Sequence, residues 1–356
     1  MTYTTLDYTV RFLTPAFLGN AEQTAQWRTP PFKALLRQWW RVAYAQERQF
    51  NVDIAAMRQE EGLLFGDSEH SKSRIRIRLS HWSMGHLTKA QWPTSREAKV
   101  PHPEVERPIG VELYMGYGPL IYDRSARGTT LKTNAAIQAG EEARLSIAVP
   151  ENALQLILRA LNLIHDFGTI GGRSRNGWGS FLLTGCNPQP DETALPEADN
   201  PLPLRPYTAC LNEEWPHAIG SDNRGALIWV TPPHSDWPSL MKSMAAVKIG
   251  LRTAFAFASG DRAEAPEDRH WLSYPVTHHS VRAWGNKARL PNSLRLKFRQ
   301  RPNGKLEGVI FHVPHKPPAA FGANAEVLYD VWGRAHAHLD ALHSSQALAR
   351  QQSPTP

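Results

Sequence analysis

Two stretches with alternating apolar and polar residues divide the chain into halves of similar order. Residues 6–12 place Leu, Tyr, Val and Phe at every second position, and residues 226–230 form a second short apolar run. Each run ends at a Thr-Pro pair, and a segment with helical spacing follows it, at 31–48 and at 239–257. Alternation is typical of a half-buried strand, whereas a spacing of three to four residues is typical of an amphipathic helix. The pattern therefore predicts a strand followed by a helix in each half and indicates a duplicated unit.

The remaining periodicity predicts how the first half is completed. Residues 142–149 alternate as a strand, residues 150–166 have helical spacing, and residues 178–183 form a further strand. With a strand near residues 74–79, the order is strand-helix-strand-strand-helix-strand, the ferredoxin-like split unit. The second half reads strand, helix, three strands and a last helix at about 322–343, without a clear final strand. We expect an α+β protein with two ferredoxin-like (RRM-like, βαββαβ) domains.

A proline-rich segment marks the boundary between the halves. Residues 186–206 contain six prolines and several acids without apolar periodicity. Proline fixes φ and lacks a backbone donor, so we expect an extended linker there. The predicted parts are a first domain at 1–187 that includes a glycine-rich loop, a linker at 188–224, a second domain at 225–343 and a flexible tail at 344–356.

Each half also has a strand whose alternate residues are basic. In the first half these residues are Arg74, Arg76 and Arg78, and in the second half they occupy alternate positions of 295–301. Residues 270–306 hold eight Lys or Arg residues and no Asp or Glu. Like charges in a row repel each other, so a polyanion such as a nucleic-acid backbone is the natural partner. Chance clustering of surface charges is the alternative.

The helix predicted at 31–48 has a basic side. Lys33, Arg37 and Arg41 lie on that side, apolar residues lie on the opposite side, and Trp40 lies at the border of the basic side. Such a face suits a polyanion whose bases stack on an indole. A solvated face with Trp40 in the core is the alternative interpretation.

A glycine-rich loop, GTIGGRSRNGWG at residues 168–179, gives the strongest local signal for a ligand. Glycine tolerates positive φ and lets the backbone approach a ligand closely. Successive amides can bind an anion, and Arg173 and Arg175 add positive charge. The loop leaves a helix and enters a strand, and no Gly-Lys-Ser/Thr follows, so it is neither a dinucleotide fingerprint nor a P-loop. A plain glycine turn is the alternative.

Composition narrows the class of protein. The chain has 356 residues, with 40 Lys and Arg against 33 Asp and Glu, and a formal net charge of +7. Two distant cysteines, Cys186 and Cys210, are too few for a disulfide framework or a cysteine zinc site. No apolar run approaches the ~18 residues of a membrane span, and the first residues show no signal-peptide pattern. We expect a soluble, cytoplasmic and mildly basic protein.

Catalytic and metal-binding patterns are weak. The sequence has no H-E-x-x-H, no G-x-S-x-G and no cysteine-rich metal pattern. The doublet His165-Asp166 is of a kind seen in metal phosphohydrolases, but a histidine also suits a helix C-terminus. Asp67, Glu69 and His70 are possible ligands, but a solvated turn explains them better. We therefore expect no catalytic residue, no metal site and no cofactor.

Three stretches of the first half form a recognisable set. Residues 31–41, PFKALLRQWWR, follow a strand and a Thr-Pro pair, residues 61–66 read EGLLFG, and residues 168–179 hold the Gly-Gly-Arg-Ser-Arg loop. This set resembles the RAMP superfamily of CRISPR-associated proteins, most closely the subunit-one family of the type III-B Cmr effector complex. The turn glycine usual before the helix is absent here, and the second half matches loosely.

This resemblance implies both a fold and a function. Members of the family have two ferredoxin-like domains and join a ribonucleoprotein that is built on a CRISPR guide RNA. They lie at the end of the backbone filament near the 3′ part of the guide and help to capture target RNA, and cleavage is attributed to the repeated backbone subunits. We therefore expect an RNA-binding structural subunit of antiviral defence, with guide RNA, target RNA and neighbouring type III subunits as partners, and no membrane.

The residues that we predict to contact RNA lie on the basic helix, in the glycine-rich loop or in the basic second half. They are Arg28, Lys33, Arg37, Trp40, Arg41, Gly171, Gly172, Arg173, Ser174, Arg175, Asn176, Gly177, Arg252, His278 and Arg282.

Two other functions fit the same sequence. The first is a metal-independent endoribonuclease that processes CRISPR transcripts, in which His278, His279 or Tyr274 supplies acid and base groups for attack by a 2′-hydroxyl. The second is a protein-only docking module whose basic faces meet acidic partners.

Overall fold

The computed structural model describes most of the chain. It covers residues 2–67, 72–92, 97–186, 201–285, 287–344 and 347–351. Helices and mainly antiparallel sheets alternate along these ranges, so the predicted mixture of helices and antiparallel sheets is confirmed. No helix in these ranges is both long enough and apolar enough to cross a membrane.

The strands and helices are numbered in chain order. The strands are β1 Tyr3–Phe12, β2 Arg76–Leu79, β3 Leu87–Thr88, β4 Lys99–His102, β5 Val105–Gly110, β6 Leu120–Asp123, β7 Gly128–Leu131, β8 Ala135–Ala136, β9 Glu142–Pro150, β10 Phe181–Gly185, β11 Leu204–Pro206, β12 Ile219–Asp222, β13 Gly225–Ala226, β14 Ile228–Val230, β15 Arg262–Ala263, β16 Ser280–Val281, β17 Leu294–Gln300, β18 Leu306–His312 and β19 Ala349–Arg350. The helices are α1 Thr29–Glu47, α2 Ile54–Phe65, α3 Val111–Gly116, α4 Leu154–Phe167, α5 Tyr207–Cys210, α6 Trp237–Thr253, α7 Asp268–Leu272 and α8 Ala325–Ser344.

Unit 1 is a compact body made of Met1–Glu97, Glu112–Pro203 and Lys297–Leu306. Its main sheet has the order β10-β1-β9-β2, and every neighbouring pair is antiparallel. Helix α1 lies between β1 and β2 in the chain, and α4 lies between β9 and β10. With the intervening elements α2, α3 and β3 to β8 left aside, these six elements have the order strand-helix-strand-strand-helix-strand, which the periodicity predicts for the first half.

The alternation of the strands decides which face of this sheet is covered. Leu145 and Ile147 of β9 are buried, as are Leu161 and Ile164 of α4 and Leu36 of α1. Burial of such side chains stabilises a fold by about 1.5–3 kcal/mol each. The two helices therefore pack on one face, and the intervening residues of the strands lie on the other.

Unit 2 is made of Ala98–Val111, Leu204–Leu296 and Glu307–Pro356. A second four-stranded sheet has the order β17-β18-β14-β19, with β14 antiparallel to both of its neighbours, and β14, β19 and residues 307–312 of β18 belong to unit 2. Helix α6 follows β14 in the chain, and α8 lies between β18 and β19. In this order the strands of unit 2 correspond one by one to β2, β9, β1 and β10 of unit 1.

The closing strand of unit 2 is β19, which the sequence pattern does not reveal. It lies within residues 344–356, the stretch expected to be a flexible tail, and consists of two residues paired with Trp229 and Val230. Nη2 of Arg350 lies 2.5 Å from the carboxylate of Asp222, and Nη1 lies 3.1 Å from that of Asp340. Ion pairs hold this strand, so no apolar alternation marks it.

The two units do not coincide with consecutive halves of the chain. Residues 98–111, expected in the first domain, group with unit 2, and residues 297–306, expected in the second, group with unit 1. The expected linker at 188–224 is described from residue 201 onwards, and β11, α5 and β12 lie within it. The remainder of that linker lies outside the described residues.

Candidate nucleic-acid surface of unit 1

Helix α1 carries the predicted basic side. Two prolines lie in its first turn, where backbone N–H groups have no partner within the helix, so the N–H that proline lacks costs no hydrogen bond. Lys33, Arg37 and Arg41 are half-buried, whereas Leu36 and Trp39 are buried. Burial lowers the pKa of Lys33, and the positive charge of Arg37 lowers it further. The three cations therefore lie together at the edge of the protein surface.

A buried carboxylate from the next helix neutralises part of this charge. Glu61 of α2 is 2% exposed at its side chain, and its Oε1 lies 2.8 Å from Nε of Arg37 and 2.6 Å from Nε of Arg41. Burial by itself would raise the pKa of Glu61, but the bonds from Arg41 and Arg37 hold the pKa below its ordinary value. The trio therefore carries a net charge of +1, so the side is less basic than the helix sequence indicates.

The position of Glu61 follows from local structure. Helix α2 begins after Asp53, whose side chain accepts hydrogen bonds from the amides of Ala55, at 2.8 Å, and Ala56, at 3.2 Å. Such a cap fixes the start of a helix. Glu61 is the first residue of the EGLLFG motif, so the structure gives that motif a contact with the basic helix.

Trp40 is not available for stacking. Its residue is 2% exposed, and its ring lies 4.8 Å from the ring of Tyr44 and 5.8 Å from that of Phe65. The expectation that Trp40 meets a base beside the basic side is wrong, because α2 covers the border at which it lies. The alternative interpretation of a core tryptophan is confirmed. Arg28, the residue before α1, is half-buried.

The first basic strand faces solvent at two of its three predicted positions, because Arg74 precedes β2 and is half-buried. Arg76 and Arg78 of β2 are exposed, whereas Leu79 is buried. The guanidinium carbon of Arg76 lies 5.5 Å from the centre of the Tyr3 ring. Two cations and one aromatic ring therefore share this face of unit 1.

The second basic strand does not form a basic surface. Lys297 is 1% exposed, and its Nζ donates to the carbonyls of Gly168 at 2.7 Å, Phe181 at 3.0 Å and Ile164 at 3.3 Å. Burial lowers the pKa of Lys297 to about 7. Its ammonium meets carbonyls at the C-terminus of α4, where a positive charge is favoured. The expectation that this lysine faces a polyanion is wrong.

The first basic position of β17 does not face solvent either. Arg295 is buried. Both alternating basic positions of β17 that precede Arg299 are therefore inside the protein, because every residue from Leu294 to Phe298 is buried, on both faces of the strand.

The glycine-rich loop joins α4 to β10, as the sequence predicts. A Cβ on Gly171, which has φ +92°, would lie 2.8 Å from the carbonyl oxygen of Phe17, and one on Gly179 would lie 1.9 Å from that of Ile170. These glycines are required because other backbone passes too close for a side chain.

The amides of the loop point to protein atoms rather than to a ligand. The amide of Gly172 donates to Phe17, Ser174 to Gly171, Asn176 to Arg173 and Gly177 to Ser174. The expectation of a phosphate-binding amide nest at these four residues is wrong, because the turn uses their N–H groups to close itself. The loop therefore presents side chains, rather than these four amides, to a binding partner.

Those side chains differ in exposure. Arg173 is exposed, whereas Ser174, Arg175 and Asn176 are half-buried. Burial lowers the pKa of the Arg175 guanidinium. Nδ2 of Asn176 donates to the carbonyl of Met115 at 2.7 Å, which fixes the loop to α3. Of the two loop arginines, Arg173 is the one displayed to solvent.

Sequence reasoning missed an aromatic residue beside this loop. Nε of Arg173 donates to the carbonyl oxygen of Tyr117, whose residue is 65% exposed. The available signal was a tyrosine between two glycines, in the segment MGYGP, which has no apolar pattern to bury it.

The predicted residues of unit 2 are Arg252, His278 and Arg282, and they differ in exposure and contacts. Nη1 of Arg252 donates to Oγ of Ser273 at 2.6 Å. Arg282 is exposed and lies 3.2 Å from the carboxylate of Glu264. His278 is exposed, with φ 60°.

Two of the three residues proposed as acid or base groups in the endoribonuclease alternative contact other residues of the protein. The ring of His279 stacks on Phe257 with centres 3.8 Å apart. The hydroxyl of buried Tyr274 accepts from the amide of Val281 at 3.2 Å. Two of the three side chains of that alternative therefore have contacts within the protein.

The candidate metal ligands do not assemble. Among the described residues no group of three or more His, Cys, Asp or Glu side chains could hold a metal ion. Nδ1 of His165 lies 3.0 Å from the carbonyl oxygen of Leu183, and burial lowers the pKa of this histidine. Glu69 and His70 lie outside the described residues.

Comparison with solved structures finds weak overall likenesses. One is the crystal structure of apo Cmr1 from Pyrococcus furiosus, with 13% identity, a TM-score of 0.44, and coverage of 93% of this chain and 97% of that chain. Two others are chains of the type III-B Cmr-beta complex. One is bound to cognate target RNA and AMPPnP in the presence of ssDNA (11% identity, TM-score 0.47), and the other is bound to cognate target RNA (11%, 0.45). In both, 93% of this chain and 99% of the other are covered.

Comparison of sequences gives a more direct result. No curated protein sequence matches the chain. Residues 9–181 match the model of the RAMP superfamily. This segment contains the basic helix, the EGLLFG motif and the glycine-rich loop, which are the stretches on which the resemblance was based. Through residues 9–181, this chain is therefore similar to the RAMP superfamily, as the resemblance implies.

Proposed function

We propose that this protein is an RNA-binding structural subunit of a type III CRISPR ribonucleoprotein effector complex. It lies at the end of the filament near the 3′ end of the guide and helps to capture target RNA. Its partners are guide RNA, target RNA and neighbouring type III subunits, its location is the cytoplasm, and it carries out no chemistry of its own. The match of residues 9–181 to the RAMP superfamily model and the motifs that resemble the subunit-one family support the proposal.

Two ferredoxin-like domains are part of this proposal. The sheet order β10-β1-β9-β2 of unit 1 is repeated in unit 2 as β19-β14-β18-β17. In both units one helix follows the first strand of the four and another precedes the last. This repetition supports a duplicated split βαβ unit.

The observation that carries the RNA-binding part is the set of exposed cations on unit 1. Arg76, Arg78 and Arg173 are exposed, and none of them forms an ion pair with a carboxylate in the described part of the chain. Cations without acidic partners bind phosphates with release of counterions, which makes the affinity dependent on salt. These three arginines are therefore the main phosphate ligands in the proposal, and Lys33 is a fourth.

The salt dependence of RNA binding tests these ligands. We expect Arg173→Ala to weaken binding of an unstructured single-stranded RNA and to reduce the slope of log affinity against log salt by about 0.7, the value for one lost contact. Fluorescence anisotropy at several salt concentrations measures the slope. Arg107→Ala, which removes an exposed arginine of β5 outside the predicted set, is the control and should leave the slope unchanged. An unchanged slope in Arg173→Ala would exclude Arg173 as a phosphate ligand.

Native purification tests the subunit role. We expect the protein to purify with companion proteins and a discrete small RNA, and to leave CRISPR repeat RNA uncut in EDTA. Protein partners that survive nuclease treatment, without any RNA, would favour the docking module instead. Specific cleavage that is lost in His278→Ala would favour the endoribonuclease.

A further inference from the structure

An exposed tyrosine stands next to the glycine-rich loop. Tyr117 lies in the turn between α3 and β6 and is 65% exposed. Its side chain has no ring, ionic or hydrogen-bond partner in the described part of the chain. A large aromatic side chain displayed in this way is a candidate for contact with another molecule.

The backbone on both sides of this tyrosine is fixed. The amide of Gly118 donates to the carbonyl of Leu120 at 3.1 Å, and Gly118 has φ +116°, a conformation that favours glycine. The carbonyl oxygen of Tyr117 accepts the hydrogen bond from Nε of Arg173. The ring is therefore carried by a turn whose shape is set before any ligand binds.

Two cations accompany the ring. A Cβ on Gly118 would lie 3.5 Å from Nη2 of Arg173, so the exposed guanidinium is next to this turn. The amide of Lys132 donates to the carbonyl of Pro119 at 2.8 Å, and Lys132 is also exposed. Within the described residues neither cation forms an ion pair with a carboxylate.

We propose that Tyr117 stacks on an unpaired nucleobase of single-stranded RNA while Arg173 and Lys132 bind adjacent phosphates. The inference rests on the proposed function and names the part of the RNA that this site takes. Stacking on an aromatic ring combined with cations along the backbone is how proteins bind single strands without sequence preference. An exposed ring next to exposed cations that form no ion pair with a carboxylate fits a nucleotide, which offers a π-face and a phosphate together.

Binding of single-stranded RNA to tyrosine variants tests the inference. The probe is an unstructured RNA of about 12 nucleotides, within the span of known single-strand sites. We expect Tyr117→Ala to reduce its affinity about tenfold without changing the salt slope, because no charge is lost. Tyr117→Phe keeps the ring and should bind like the unchanged protein. Tyr122→Ala removes another exposed tyrosine, 55% exposed on β6, and should also bind normally.

The outcomes separate this inference from the proposed function. If the unchanged protein fails to bind single-stranded RNA, the proposed function itself fails. If it binds and Tyr117→Ala binds equally well, only the stacking role is overturned. Loss of a protein subunit with full RNA affinity in Tyr117→Ala would also overturn it, as would an equal loss of affinity for duplex RNA, whose bases are already stacked.

Discussion

At the scale of single residues, Glu61 sets the charge of the basic helix. Its carboxylate lies within 2.8 Å of both Arg37 and Arg41, and it is almost completely buried. A buried acid between two arginines ties α2 to α1 and removes one of their two charges. Lys33, near the start of the helix, is the remaining cation of this side, and in the described part of the chain it forms no ion pair with the Glu61 carboxylate.

Replacing this carboxylate should destabilise unit 1. Glu61→Gln leaves two arginines facing a neutral amide, and because both arginines are about one-third exposed, solvent screening reduces the cost of the lost pair. We expect the free energy of unfolding to fall by about 1–3 kcal/mol, measured by urea denaturation.

The neighbouring glutamate provides the control. Glu60 is half-exposed; its Oε1 lies 3.4 Å from Nη2 of Arg48 and accepts from the Tyr44 hydroxyl at 2.8 Å, a bond that the amide oxygen of glutamine can also accept. An exposed pair of this kind contributes little, so Glu60→Gln should change the free energy of unfolding by less than about 1 kcal/mol. Equal effects of the two substitutions would show that the Glu61 contacts have no special role.

Residue-level errors of the sequence interpretation have a common physical cause. The helical spacing around Trp40 shows one apolar side, but α1 contacts α2 as well as the sheet, so a border residue is buried too. Alternation in β17 indicates a solvated basic face, but three backbone carbonyls bind Lys297 inside the protein. A sequence pattern gives the side of an element on which a residue lies and does not give what covers that side.

At the scale of elements, the glycine-rich loop acts as a support for the exposed side chain of Arg173. Its location between α4 and β10 was predictable, because glycines and arginines follow a clear helical pattern. The direction of its amides was not, since it depends on the turn conformation within the loop and, for Gly172, on Phe17, which is distant in the chain. The loop consequently displays Arg173 beside Tyr117 rather than a ring of N–H groups.

Two buried histidines join a strand to a helix in unit 2. Nδ1 of His312 on β18 lies 2.9 Å from Nε2 of His336 on α8, and Nε2 of His312 lies 2.8 Å from Oγ of Ser293. Burial lowers the pKa of His312 well below its ordinary value, and burial lowers that of His336 to about 4. The folded protein therefore holds both rings neutral.

This pair should make the protein sensitive to acid. The unfolded chain binds protons on these histidines near pH 6.5, whereas the folded state does not, so stability is full above that pH and falls as pH decreases from about 6.5 towards 4. We expect a loss of up to about 1.4 kcal/mol per pH unit for each histidine, measured by urea denaturation at a series of pH values.

A single substitution of the pair isolates its contribution. His336→Gln removes one titrating ring and should make the decline between pH 6.5 and 4 less steep by about 1.4 kcal/mol per unit. His278→Gln, at an exposed histidine, should leave the slope unchanged. Identical slopes for His336→Gln and the unchanged protein would contradict the assignment.

At the scale of the whole molecule, long periodic segments were predictable and short ones were not. The spans of α1, α4 and β9 agree with the sequence pattern to within a few residues. Strand β19 has only two residues, and Arg350 holds it through ion pairs to Asp222 and Asp340. Neither its length nor its chemistry produces apolar alternation, so the repeated order of unit 2 emerges only from the sheet pairing.

Unit 1 takes its last segment, Lys297–Leu306, from far along the chain. A ribosome releases the polypeptide from the N-terminus, and domains generally fold in that order during synthesis. The ammonium of Lys297 reaches the carbonyls of Ile164 and Gly168 only after all of Leu204–Leu296 has been made. During biosynthesis these contacts of the N-terminal module must therefore wait for most of the protein, and a prematurely terminated product that stops before that lysine lacks them.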